Sequence, residues 1–288
     1  MDKTSLFYQQ PTKINAQGFT IAWFICLFTS IFLGYIYTLL NTAIPLIYFA
    51  FIINIGIGLL ISLCIRIATK ITHNASKKSQ IILALMTGIL VNYFQWVTYL
   101  LYVSQGQIPS ISSYLKNLVL SIDASIAQII EINSIGLWSA FGIDVNGGLL
   151  SFIWIIEFLI IILVPIIYIR TTKVFPYSEQ FNKWYPKYTL DEKFQSIGGI
   201  NKLLEDLQTN PLTTIEALKL GRANRFTKIH LYFLENEQWQ YIDFEKIAID
   251  KQGGKDKDTI VENFKIDSTT AKKILNTFDH KRERIEII

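Results

Sequence analysis

LLSFIWIIEFLIIILVPIIYI, residues 149–169, runs directly into Arg170, and its reading decides the fold. A helix of this length, rising about 1.5 Å per residue, spans roughly 30 Å of hydrocarbon, and Glu157 is its only acidic or basic side chain. The charge balance changes sharply beyond it. Residues 1–170 hold 8 Lys/Arg and 5 Asp/Glu, whereas residues 171–288 hold 19 and 18. The first part is too apolar for a water-soluble globule, and the second is too charged for a bilayer. The expected fold class is therefore a membrane all-α four-helix bundle, residues 1–170, joined to a small soluble α+β domain, residues 171–288.

Three earlier stretches, 19–40, 43–65 and 80–103, match the first in length and nearly in lack of charge. The 19–40 stretch is too long for a signal-peptide core and has no small-residue cleavage pattern after it, so it reads as a permanent helix. Lys and Arg near helix ends are retained in the cytoplasm. Arg66, Lys70, Lys77 and Lys78 lie between the second and third helices, and Arg170 and Lys173 follow the fourth. The opposite side has a short turn at Asn41 and Thr42, then residues 104–148 with Lys116 against Asp123, Glu131 and Asp144. This predicts a multi-pass protein of the inner (plasma) membrane with both termini cytoplasmic. The net charge of +4 lies mostly in the first part and reports topology, so no nucleic-acid partner is expected.

Small residues mark where helices can approach closely. They recur at a spacing of four as Ala22, Cys26, Ser30, Gly34 and Thr38 in the first helix, as Ala50, Asn54, Gly58 and Ser62 in the second, and as Ala84, Gly88 and Asn92 in the third. Packing within a bundle is the common use of such stripes, and self-association is a second one. Asn54, Asn92 and Gln95 fall at about the depth of Glu157, each roughly 12–18 Å along its helix. An unpaired charge there costs roughly 3 kcal/mol or more, so Glu157 is expected to face protein within a polar cluster with those amides. That cluster is either a proton- or cation-binding site or interhelical glue. Between Ser112 and Ile132 the apolar residues Leu115, Leu118, Val119, Ile122, Ile126, Ile129 and Ile130 trace one face of an amphipathic helix that lies in the interface or caps the bundle.

The charged part begins with an aromatic connector, 175–186, read as holding a short helix between its prolines. Helices are predicted at 199–207 and 213–220, then strands at 227–234, 239–249 and 259–266, with a bulge near Glu245 and a last helix capped by Ser268. The strands form an antiparallel three-stranded meander. Lys219, Arg222, Arg225 and Lys228 recur every three residues and are candidate contacts for anionic lipid headgroups, although a solvated charged face is the commoner use. Cys26 and Cys64 both lie in apolar stretches, and His73, His230 and His280 are scattered without metal-ligand spacing. No cofactor, metal or catalytic residue is expected.

With the helices placed, Asn92-Tyr93-Phe94-Gln95-Trp96 and Trp154-Ile155-Ile156-Glu157 resemble a widespread, uncharacterised group of bacterial four-helix integral membrane proteins with a C-terminal cytoplasmic domain. Members often carry a Cys-x-x-Cys pair after the last helix, where this chain has Ser178 and Phe181. The resemblance implies the topology and no reaction. The function expected is an accessory, sensor or assembly protein whose bundle anchors a domain that binds a cytoplasmic protein. The alternative is a small proton- or ion-coupled transporter or channel using the Glu157 cluster.

Overall fold

A computed structural model describes residues 6–44, 47–136, 138–140 and 143–283, and the chain divides into two compact units. One comprises residues 12–172; the other combines 1–11 with 173–288. The boundary after Thr172 lies close to the expected one, but the start of the chain needs correction. Leu6 and Phe7 pack against the core of the second unit, and Phe7 bridges Phe264 there, because two apolar side chains at the N-terminus find a hydrophobic edge.

In the first unit, α1 (Ala16–Ala43), α2 (Ile47–Ile71), α3 (Lys77–Gln105) and α6 (Gly147–Thr171) are each long and apolar enough to cross a membrane. Asn41 and Thr42 belong to the last turn of α1 and not to the connecting turn, part of which (45–46) lies outside the described residues. The side chains are distributed in reverse of a water-soluble bundle. Helix α1 buries Ala22, Cys26, Ser30, Gly34 and Thr38 while Ile21, Phe24, Phe28, Phe32 and Ile36 point outward. The buried hydroxyls need no water: Ser30 donates to the Cys26 carbonyl at 2.7 Å, and Ser62 to that of Gly58 at 2.8 Å.

The glycines of the three stripes stand where helices touch. A Cβ on Gly34 would lie 2.6 Å from the Phe94 Cβ, one on Gly58 2.7 Å from the Val164 Cβ, and one on Gly88 3.0 Å from Ile162 Cγ1. Thr38 then reaches across to the Gln95 carbonyl at 3.0 Å. All three glycines are therefore occupied within the chain, which leaves them no surface for a second copy.

The expected helix over 112–132 is two helices, α4 (Ile111–Lys116) and α5 (Ile122–Ile135). Tyr93 of α3 breaks the run: its hydroxyl donates to the Leu118 carbonyl and accepts from the Leu120 N–H, both at 3.1 Å. Tyr114 of α4 inserts among α1 and α3, donating to the Ile31 carbonyl at 2.6 Å. Val119, Ile126 and Ile130 remain exposed; the Ile122 side chain lies outside the description. A short hairpin, β1 (Trp138–Ala140) with β2 (Ile143–Val145), leads into α6.

The second unit has more strands than the predicted meander. β3 (Tyr177–Ser178) and β4 (Lys183–Trp184) pair with each other, so the connector holds a hairpin and not a helix. β5 (Lys187–Leu190), β6 (Phe194–Gln195), β7 (Arg225–Tyr232), β8 (Trp239–Ile249), β9 (Lys255–Asp267) and β10 (His280–Glu283) make a six-stranded sheet in the order β10-β5-β7-β8-β9, with β6 also pairing β7. The added strands span two to four residues, too short to display a period of two. One face carries Leu190, Ile229, Leu231, Ile242 and Phe244. It is covered by Leu203 and Leu207 of α7 (Ile200–Thr209), Ile215 of α8 (Pro211–Glu216) and Ile274 of α9 (Ser268–Thr277). The register slips on either side of Phe244 as expected, but the extra residues belong to β9, where Asn263 takes φ 51°. Asp267, not Ser268, caps α9: its Oδ1 accepts from the Thr270 N–H at 2.9 Å.

Gly34→Ala is expected to destabilise the helical unit by about 1–3 kcal/mol, because the neighbouring backbone must move. Gly56→Ala, where a Cβ meets nothing within 4 Å, should not. Thermal unfolding of the detergent-solubilised protein checks both; equal behaviour of the two variants would contradict the close crossing.

Candidate functional site

Glu157 lies half-buried on α6, within interaction range of the Tyr37 hydroxyl and the Asn54 amide. Asn54 is fully buried, and neither of its polar side-chain atoms has a hydrogen-bond partner. Asn41 Oδ1, on the Tyr37 side of the group, is likewise buried and unbonded. An orphaned polar atom costs about 1–3 kcal/mol, so these amides, although within range of Glu157 and Tyr37, are not held in good hydrogen-bond geometry by them. Asn92 is level with Glu157, since Gly88 abuts Ile162 and Trp96 stacks edge-on with Trp154 at 5.0 Å on antiparallel helices. No side-chain hydrogen bond joins Asn92 or Gln95 to Glu157 among the described residues; Gln95 contributes its carbonyl to Thr38 instead. Tyr37 and Asn41 were not anticipated, although they follow Gly34 at three and seven residues and so share its face.

The basic run divides differently from its spacing. Helix α8 ends at Glu216, so 219–224 is a loop leading into β7 at Arg225 and not a helical face. Gly221 holds it against β6: its N–H donates to the Lys193 carbonyl at 2.7 Å, and a Cβ there would lie 2.4 Å from the Phe194 carbonyl oxygen. Lys219, Arg222 and Arg225 then line a cavity of about 440 Å³ with Ser196, Leu220 and, from β8, Lys246. No acidic side chain lines it. Lys228 lies elsewhere, with its ammonium on the carbonyls of Leu190 and Asp191, both at 2.8 Å. Burial pushes its pKa down, with neighbouring acidic groups only partly opposing that. Lys246 is the member of the cavity that spacing could not find, because it comes from a neighbouring strand.

The sheet's second face holds a buried polar line that sequence patterning does not foretell. Thr189 Oγ1 sits 2.7 Å from His230 Nδ1, and His230 Nε2 sits 3.3 Å from Glu245 Oε2, across β5, β7 and β8. Hydroxyl, imidazole and carboxylate stand in the order of a hydrolase triad. Thr189 is only 8% exposed and His230 4%, so the hydroxyl is closed to a substrate in this fold. Beside them the fully buried Asp243 accepts from the Asn263 N–H at 2.5 Å and pairs with Lys173 at 2.6 Å. Asn263 in turn donates to the Val174 carbonyl at 2.8 Å, and Glu262 accepts the Val174 N–H at 3.1 Å. Tyr8 accepts the Tyr177 N–H at 3.2 Å, and its own N–H donates to the Asn263 carbonyl at 2.9 Å. The chain segments 6–8 and 173–177 are thus both fastened beside Asn263.

Comparison with family models, with curated proteins and with solved structures finds no match to this chain.

The hydrogen bond from His230 holds the Glu245 carboxyl below its usual range, against an opposing effect of burial. A carboxylate depressed on folding stabilises the fold at neutral pH, and that contribution is lost as pH falls through the lowered value. Glu245→Gln should therefore lower the unfolding temperature of the second unit at pH 7, and the gap from wild type should narrow toward pH 3. A gap independent of pH would show that the hydrogen bond to the Glu245 carboxylate contributes nothing.

Proposed function

We propose that the chain is an integral protein of the plasma membrane, of the bacterial four-helix kind that its Asn92–Trp96 and Trp154–Glu157 motifs resemble. In this reading the bundle anchors a cytoplasmic domain that binds a cytoplasmic partner, and both termini are cytoplasmic. The observation that carries it is the reversed packing of α1, with small residues inward and Phe24, Phe28 and Phe32 outward, an arrangement suited to hydrocarbon and costly in water. Lys and Arg concentrate at one end of the helices, which supports the orientation. The second unit has its own core and fastens both of its chain connections at one place, as a domain held on a tether requires.

A second reading, a small proton- or cation-coupled transporter, is favoured by one observation: the two unbonded polar atoms of Asn54 beside Glu157.

Retention in the membrane pellet after carbonate extraction, with tags at both termini accessible from the cytoplasmic side only, is the expected result for the anchor. A tag reached from the outside would overturn the orientation. Liposomes holding the purified protein separate the two readings: proton or cation flux that is lost in Glu157→Gln with unchanged thermal unfolding makes the protein a transporter. No flux from folded wild type leaves Glu157 as part of the packing.

A further inference from the structure

We propose that the basic cavity between the end of β6, the 219–224 loop and the start of β7 binds the phosphate of an anionic phospholipid headgroup, with Leu220 as its apolar anchor. Lys219, Arg222, Arg225 and Lys246 converge on one cavity of about 440 Å³, from a loop and two adjacent strands, with no carboxylate among the lining residues. Like charges gathered on one wall repel, and none of these four forms an ion pair among the described residues. Lys173 pairs with Asp243, Lys187 with Glu283, and Lys228 donates to two carbonyls, whereas most other cations of the unit are dispersed and also form no ion pair among the described residues. What sets the four apart is their convergence on one cavity with no carboxylate beside them, which favours an anion there. Gly221 fixes the loop against β6, so the cavity is set by backbone and not only by long side chains.

The neighbouring side chain selects the source of the phosphate. Leu220 lines the same cavity and is 76% exposed, the largest exposure of any big apolar residue in this unit among the described residues. A free phosphate ion gains nothing from such a leucine. A headgroup with acyl chains beside it does, since an apolar tip flanked by cations is how a protein surface seats on an anionic bilayer. This inference rests on the membrane reading above, which brings lipid within reach of the chain.

The test uses the full chain in neutral detergent, titrated with dihexanoyl phosphatidic acid, dihexanoyl phosphatidylcholine and inorganic phosphate, and followed by phosphorus NMR line broadening. Expected is saturable binding of the phosphatidic acid with little binding of the zwitterionic lipid. Arg222→Gln with Arg225→Gln should weaken it by roughly tenfold or more, Arg222→Lys with Arg225→Lys should retain most of it, and Leu220→Ser should weaken it while sparing the weak binding of inorganic phosphate. Thermal unfolding establishes that each variant is folded, and Lys272→Gln with Lys273→Gln on α9 controls for net charge. Equal loss in that control, or full binding by the double Gln variant, would overturn the site. Inorganic phosphate bound as tightly as the lipid and unaffected by Leu220→Ser would overturn the lipid source. Release of the chain by carbonate extraction would remove the membrane reading while leaving this titration to judge the cavity by itself.

Discussion

Helices in hydrocarbon gain little by hiding apolar side chains from their surroundings, so what holds them is close contact between surfaces that fit. Among the four candidate spans the closest contacts fall on Gly34, Gly58 and Gly88, each too close to a neighbouring helix to carry even a methyl group without a shift. With the backbones so near, Thr38 can bond a carbonyl of another helix, and Tyr114 can reach the Ile31 carbonyl. The same proximity brings Tyr37, Asn54 and Glu157 together. Fully buried, the Asn54 amide meets neither neighbour in good hydrogen-bond geometry, which makes it the least satisfied feature of the bundle.

The second unit is organised by a different necessity. Its sheet has one apolar face covered by three helices and one face carrying Thr189, His230, Asp243 and Glu245. Buried charge requires partners, and Asp243 has them in Lys173 and the Asn263 N–H. The left-handed backbone at Asn263 makes this possible by bulging β9 and turning the Asn263 N–H toward Asp243. A sheet irregularity thereby becomes the fastening point for chain segments from both sides of the helical unit.

Long features were legible in the sequence. The four apolar helices follow from length, the strands expected at 227–234 and 239–249 follow from period and lie at 225–232 and 239–249, the slip expected near Glu245 falls on either side of Phe244, and the small-residue stripes mark the interfaces. Short or non-local features were not. β5, β6 and β10 owe their existence to pairing with β7 and to each other, which no local window contains. Tyr93 divides the outer helix through two hydrogen bonds from a residue more than twenty positions away. Of the candidate sites, the nearness of Glu157 to Asn54 follows from depth along the helices, whereas Tyr37 lies on a helix whose small and polar residues read as packing or a turn. Three of the four basic residues stay together; Lys246 replaces Lys228 because β-strand neighbours, not helical spacing, build the cavity.

The bridge between Phe7 and Phe264 joins positions 257 residues apart. During synthesis at about 5–20 residues per second, the first aromatic leaves the ribosome roughly ten seconds to a minute before its partner strand exists. All four long helices are made in that interval. Leu6 and Phe7 must therefore wait, unpaired and apolar, until β9 has been made, and the edge of the sheet takes them up only after all four long helices have been synthesised. Any fusion that shields the first dozen residues would intervene at that moment, long after the helices have been made.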